Sequence, residues 1–180
     1  MSNTALLVMD VQPSILGRLE KPDAYLANVQ KAVDAAHSHQ VPVIYVVVGF
    51  RPGMPEISER NKMFSITLAS ATAGMIDPKP VLTPIEGDVV VTKRRVSAFT
   101  GSDLEVVLRA KGITHLVLCG ISTSGVVLST TREAADRDYK LTILSDLCFD
   151  ADPEVHAVLM GKVFPRQATV QTSEEWMGEM

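Results

Sequence analysis

Residues 116–139 read LVLCGISTSGVVLSTTREAADRDY, and this stretch holds the signals that decide the fold. An apolar run ends at Gly120, a short turn rich in Ser and Thr follows, and a helical pattern begins near Gly125. A buried strand is therefore predicted to lead directly into a helix. In a parallel sheet such a junction lies at the carboxyl edge, where ligands bind and helix N-termini present N–H groups.

The turn itself carries three hydroxyl groups, those of Ser122, Thr123 and Ser124. At the mouth of a site on the carboxyl edge, these residues are expected to bind substrate. The alternative is that they only cap the helix, because Ser and Thr are among the residues most common at that position.

Outside this stretch, strands and helices alternate. Residues 23–40 have apolar positions at the helical period, whereas the short apolar runs show no alternation, which is typical of strands buried on both faces. The pattern predicts a three-layer α/β/α doubly wound sheet of about six mainly parallel strands, Rossmann-like, in a single domain over residues 1–180. The predicted strands are residues 5–9, 42–49, 89–92, 114–119, 141–146 and 168–172.

Composition limits the function classes. The chain has 180 residues, of which 46% are hydrophobic and 21% charged, and its net charge is only −4 with scattered Lys and Arg. Nucleic acid and membranes are therefore not expected as partners, and the expected ligand is a small molecule. No apolar run approaches a membrane span, and the first strand follows MSNT without room for a signal peptide, so a soluble, cytoplasmic protein is expected.

Two charged residues stand at predicted strand ends, Asp10 after the first strand and Lys93 after the third. A carboxylate at that position suits acid or base catalysis, although Asp10 could instead cap a turn. If the two strands are adjacent, the charges are expected to pair.

The connection at residues 50–88 is rich in Pro and Gly and contains a possible short helix at 63–71. Arg51 and Arg60 are candidates for binding an anionic substrate at the carboxyl edge. Most charged loop residues simply face water, and that alternative stays open for both.

Two helix starts are predicted from local signals. Ser102 and Glu105 have the spacing of a capping box, and Asp152 followed by Pro153 is typical of an N-cap with proline in the first turn.

Three motifs resemble the isochorismatase-like hydrolases, also called cysteine hydrolases. LLVMDVQ (6–12) resembles the family's first strand with its catalytic aspartate, here Asp10. KRRVSAF (93–99) resembles the segment that carries the catalytic lysine, here Lys93. GISTSGVV (120–127), with Tyr139 in register, resembles the turn and helix of the family. The resemblance implies this fold, a cis peptide bond between residues 121 and 122, a small-molecule substrate, and a homodimer or higher homo-oligomer.

The chain departs from the family pattern at one position. Counting without gaps from Gly120 to Tyr139 places Val126 where the nucleophilic cysteine is expected, and an isopropyl group cannot attack a carbonyl. Cys119 lies on the preceding strand and is not expected to replace it. The four histidines are interpreted as surface or core residues. The metal-binding Asp-x-His cluster of some family members has no counterpart, so no metal or other cofactor is expected.

Isochorismatases proper also lack the cysteine, and they offer a mechanism by resemblance. Asp10 protonates a vinyl ether carbon and water adds to the resulting cation, while Lys93 holds a substrate carboxylate or stabilises developing charge. The N–H groups of the turn, including that of Gly125, are expected to bind an anionic part of the substrate. The alternatives are an inactive protein that keeps the fold as a small-molecule binder or oligomer partner, and a nucleophilic Ser122 or Ser124.

Overall fold

The apolar runs form the strands of one sheet, as predicted. The computed structural model describes residues 3–17, 19–70, 75–76 and 78–180. The strands are β1 (Thr4–Met9), β2 (Val43–Val48), β3 (Val89–Lys93), β4 (His115–Ile121), β5 (Lys140–Phe149) and β6 (Thr169–Gln171). The helices are α1 (Pro13–Leu16), α2 (Pro22–Ser38), α3 (Lys62–Ser70), α4 (Leu104–Ala110), α5 (Leu128–Ala135), α6 (Pro153–Val158) and α7 (Ser173–Gly178).

The sheet is parallel throughout and its strand order is β3-β2-β1-β4-β5-β6. The chain builds outward from β1 to β3 on one side and then from β4 to β6 on the other, so the order reverses between β1 and β4. In doubly wound sheets the ligand crevice opens at this switch point, outside the carboxyl ends of the strands. The assumption that the first and third strands are adjacent is wrong, because β2 lies between them.

Apolar side chains bury both faces of the sheet. One core layer packs helices α2 and α7 against the sheet, with Val29, Val33 and Trp176 buried in it. The other packs α4 and α5 against the opposite face, through residues such as Leu104 and Leu108. The three-layer prediction is thus confirmed. Within the described ranges, no helix is both long enough and apolar enough to span a membrane.

Local capping signals were only partly reliable. The Asp152 carboxylate accepts hydrogen bonds from the N–H groups of Glu154 and Val155, as predicted. The predicted capping box at the start of α4 is wrong, because the Glu105 carboxylate pairs with Arg109 and Arg137 rather than with the backbone of Ser102. The short helix predicted at residues 63–71 is α3, and its predicted last position, residue 71, lies outside the described residues.

Gly120 allows β1 and β4 to approach each other at the switch point. Its φ is +147°, and a Cβ built on it would lie 2.1 Å from the carbonyl oxygen of Met9, its register partner on β1. That oxygen belongs to the backbone of a central strand and cannot move aside. Position 120 therefore requires glycine for both conformation and space.

We expect Gly120→Ala to lower the free energy of unfolding by about 3 kcal/mol or more, because the clash adds to the cost of the backbone conformation. Gly161→Ala is the matched control, since a Cβ there meets nothing within 4 Å. Urea denaturation of both variants measures the difference. A Gly120→Ala protein as stable as the control would contradict the close approach of the strands.

Candidate active site

Asp10 and Lys93 meet at the carboxyl edge of the sheet. The Lys93 Nζ lies 3.0 Å from the Asp10 Oδ2, and the two side chains are 2% and 8% exposed, respectively. Lys93 ends β3 in register with Val48 of β2, while Asp10 follows β1 with a φ of +57°. The left-handed turn after β1 and the length of the lysine side chain together let the charges pair across the end of β2. The predicted pairing is confirmed although the strands are not neighbours.

The Gln12 side chain fixes the segment that carries Asp10. Its Nε2 donates to the carbonyl oxygen of Val48 at 3.1 Å, and its Oε1 accepts from the Val48 N–H at 2.9 Å. This fully buried amide therefore makes the two hydrogen bonds to Val48 that the backbone of a neighbouring strand would otherwise make. The Asp10 N–H adds a bond to the Val46 carbonyl oxygen at 2.7 Å. Sequence reasoning missed Gln12, whose role depends on the end of another strand.

A cavity of about 290 Å³ opens beside the ion pair. Asp10, Lys93, Ser122, Gly125 and Val126 all line it, so the three motifs meet at one place. Its other walls come from β2, β4, α1 and the 50–88 connection, which contributes Met63, Phe64, Ile66 and Met75. A larger hollow of about 550 Å³ lies at the opposite, amino edge of the sheet and contains none of the predicted site residues.

The turn after β4 has the expected cis peptide bond between Ile121 and Ser122. Thr123–Val127 form one wide π-type turn before α5, and Gly125 within it has non-helical angles of φ −98° and ψ −107°. The helix therefore begins later than the sequence pattern indicates. A Cβ at position 125 would lie 2.7 Å from the Ser122 Oγ, so glycine leaves room for that hydroxyl beside the cavity.

Two other turn residues are held by α6 and by the connection that precedes it, and they do not line the cavity. The Thr123 Oγ1, fully buried, lies 2.8 Å from the His156 Nδ1. The Ser124 N–H donates to the Asp150 carboxylate at 2.7 Å. Burial alone would raise the pKa of Asp150, but the hydrogen bonds from Ser124 and the Asp152 backbone, with His156 nearby, hold it below its ordinary value. His156 and Asp150 thus hold the turn in place. The sequence indicated only a surface or core position for His156 and gave no sign of its bond to Thr123.

The two arginines proposed as anion-binding groups do not line the cavity. Arg51 pairs with Glu56, and its side chain is 67% exposed. Arg60 is also exposed, and its backbone N–H donates to the Ser58 hydroxyl. Their positions match the alternative interpretation as surface charges, since a sequence shows that a loop is charged but not which way its side chains face.

The environments of the two cysteines do not suit a nucleophile. Both are buried, and burial raises the pKa of the Cys119 thiol well above its ordinary value and that of Cys148 to about 12. A thiol with so high a pKa remains protonated at neutral pH and reacts slowly. In the described part of the chain, no three His, Cys, Asp or Glu side chains are grouped closely enough to hold a metal ion.

Comparisons with known proteins agree with this fold. A family model described as Isochorismatase domain matches residues 4–175. The chain belongs to the isochorismatase family. It is 32% identical to the isochorismatase family protein YwoC of Bacillus subtilis, over 98% of this chain and 94% of that protein. It is 33% identical to ureidoacrylate amidohydrolase RutB of Acinetobacter baylyi, over 87% of this chain and 75% of that protein.

Among solved structures, this isochorismatase-family chain is similar to a cysteine hydrolase from Pseudomonas syringae pv. phaseolicola. The TM-score is 0.82 at 25% sequence identity, covering 99% of this chain and 93% of that one. The comparisons confirm the predicted family and fold, and they confirm that the relatives of this chain include hydrolases.

The buried ion pair predicts non-additive effects on stability. We expect Lys93→Met and Asp10→Asn each to lower the free energy of unfolding, Lys93→Met by about 3–5 kcal/mol, because it removes the oppositely charged partner of a buried carboxylate. Asparagine tolerates the positive φ of position 10, so Asp10→Asn changes mainly the charge. The double variant should lose less than the sum of the single losses, as measured in a double-mutant cycle by urea denaturation.

The matched control is Arg109→Met, which removes an ion pair with Glu105 at a site where the arginine is 72% exposed. Its effect should stay within about 1 kcal/mol. Strictly additive losses for the buried pair would show that its two charges do not interact.

Proposed function

We propose that this isochorismatase-family protein hydrolyses a small, carboxylated metabolite, with Asp10 as the acid–base group and without a cysteine nucleophile. The observation that carries the proposal is the Asp10–Lys93 ion pair, which lines a cavity at the switch point of the sheet. A buried ion pair is a weak source of stability compared with apolar packing, so its presence in a cleft favours a chemical role.

The proposed reaction uses the two charges in different ways. Asp10, as the acid, protonates the vinyl ether carbon of the substrate, water adds to the resulting oxocarbenium carbon, and a proton of that water returns to the carboxylate. The hemiketal then collapses: its C–O bond to the leaving group breaks, the hydroxyl proton passes to the leaving oxygen, and a ketone and an alcohol are released. Lys93 binds a substrate carboxylate or stabilises the negative charge that develops. The Ser122 hydroxyl and the backbone at Gly125 line the same cavity and are proposed to orient the substrate.

Val126 supports the non-covalent route. It lines the cavity at the position where the family resemblance places the cysteine, and its side chain offers no nucleophilic atom. Cys119 and Cys148 are buried with raised pKa values and do not replace it. Water is therefore the proposed nucleophile.

The test is an end-point assay that compares the wild-type protein with Asp10→Asn. One arm measures pyruvate from isochorismate, and the other measures ammonia from nicotinamide, ureidoacrylate and a panel of small amides; ureidoacrylate is included because of the RutB relative. Pyruvate release that falls at least about 100-fold in the variant is the expected result, because positioned acid–base groups contribute factors of this size.

Asp103→Asn is the matched control, since this exposed carboxylate makes no capping hydrogen bond at the start of α4 and lies outside the cavity. It should retain full activity. Ammonia release from wild-type protein would contradict the non-covalent route and direct attention to Ser122 or Ser124. Inactivity in both arms would favour the second candidate function, a small-molecule binder that keeps the fold, for which the replacement at Val126 is the specific support.

We also propose a homo-oligomer. Met63 and Ile66 on α3 are 57% and 67% exposed at the rim of the cavity, and contacts between subunits commonly cover apolar residues of this kind. Light scattering should give a mass of at least two chains, and Ile66→Lys should lower it. A monomeric wild-type protein at assay concentration would contradict this proposal without affecting the assignment of Asp10.

A further inference from the structure

The turn after β4 forms one wall of the cavity, but regular helical geometry does not fix it. Ser122, Gly125 and Val126 line the cavity, and Gly125 departs from helical angles. The Ser122 carbonyl oxygen accepts from the N–H groups of Gly125 and Val127, and these bonds close the turn on itself. The position of its cavity-lining face therefore depends also on contacts that the turn makes with other parts of the chain.

Two hydrogen bonds attach the other side of the turn to a neighbouring segment. The Thr123 Oγ1 lies 2.8 Å from the His156 Nδ1, and the Ser124 N–H donates to the Asp150 Oδ2 at 2.7 Å. Thr123 is fully buried, so its hydroxyl needs a partner. The bond to the carboxylate has the short length typical of a charge-assisted hydrogen bond. Neither Asp150 nor His156 lines the cavity, so their effect on it passes through the turn.

The two side chains that bind the turn belong to one connected unit. The Asp150 Oδ1 accepts from the Asp152 N–H at 3.3 Å. The Asp152 carboxylate in turn caps α6, the helix that carries His156. Asp150 and His156 therefore hold two successive residues of the turn from a common frame, residues 150–158.

Helix α6 contributes nothing to the apolar core through its own residues. None of them is buried, and Val155 and Val158 are 37% and 41% exposed. Most helices in proteins are stabilised by packing an apolar face against the rest of the molecule. Since apolar burial begins only after α6, at Leu159, what α6 itself offers the fold is its polar contact with the turn.

From this arrangement we infer that Asp150 and His156 are positioning residues of the active site. Through their bonds to the turn they set where the Ser122 hydroxyl and the Gly125 backbone stand in the cavity. The inference rests on the proposed function in taking this cavity as the active site. It extends the site to two residues that touch no substrate.

The test replaces each positioning residue by a matched pair of side chains. His156→Leu removes the polar atom, whereas His156→Asn keeps one close to the position of Nδ1. Asp150→Ala removes the acceptor of the Ser124 N–H, whereas Asp150→Asn keeps one acceptor oxygen and removes the charge. Glu154→Gln is the control, because it changes an exposed side chain of the same helix outside the cavity. If His156→Leu does not fold, Thr123→Val breaks the same bond with a side chain of the same shape.

The first readout is NMR on protein labelled with ¹³C at the Ile and Val methyl groups. Ile121 and Val126 line the cavity, while Val91, buried on β3 at the end of the strand order, is the internal reference. We expect His156→Leu and Asp150→Ala to shift the Ile121 and Val126 signals, and the two asparagine variants to bring them back towards the wild-type positions. Signals that stay unchanged in the Leu and Ala variants, or that the asparagine variants do not restore, would overturn the inference.

The second readout is the kinetics of pyruvate release from isochorismate. We expect KM to rise about fivefold in His156→Leu, the effect of losing one hydrogen bond, and to recover in His156→Asn. The kcat should stay within about twofold, because Asp10 and Lys93 stand at the ends of other strands. An unchanged KM would overturn the inference and leave the proposed function intact. In a protein that hydrolyses nothing the proposed function fails, and the methyl signals alone decide the inference.

Discussion

The site depends on one contact, the ion pair that Asp10 and Lys93 form across the end of a strand that belongs to neither of them. Lys93 reaches this point because β3 stays in register with β2 up to Val48. Asp10 reaches it because β1 turns into a left-handed conformation immediately after Met9. The Gln12 amide then binds both backbone groups of Val48, so the same residue of β2 fixes both partners. The geometry of the pair is thus built into the backbone of three strands.

Burying two charges costs free energy that their attraction only partly recovers, and apolar residues at the same positions would stabilise the fold at least as well. The surrounding contacts hold the pair without enclosing it completely, because both residues border the cavity. The Arg95 carbonyl oxygen accepts a hydrogen bond from the ammonium group as well. This combination, a rigid charged pair open on one side, is more easily explained by chemistry at that open side than by stability.

The sequence predicted the sheet and the location of the site because both depend on local patterns. Mainly apolar runs marked the strands from β1 to β5, and Asp10, Lys93 and the turn after β4 each followed such a run. Contacts between distant segments could not be read in this way. The hydrogen bond between His156 and Thr123 forms only because α6 packs against the turn. The Glu105 carboxylate does not cap α4, because it pairs with Arg109 on the same helix and with Arg137 beyond α5. The capping box that does form, Thr172 with Glu175, has the same local spacing, so the spacing alone did not decide between them.

In the turn after β4, some residues line the cavity and others are bound by neighbouring side chains. Its residues lie in two environments. Ser122, Gly125 and Val126 line the cavity, whereas Thr123 and Ser124 are bound by His156 and Asp150. Because Asp150 already supplies an anion to the Ser124 N–H, the start of the turn has less to offer an anionic substrate than a free helix N-terminus would. Val126 makes the cavity wall hydrocarbon on that side, and the proposed reaction assigns the proton transfers to Asp10. In the proposed reaction the substrate therefore has to place its reactive carbon against the Asp10 carboxylate, beside the Lys93 ammonium group and the apolar wall of the cavity.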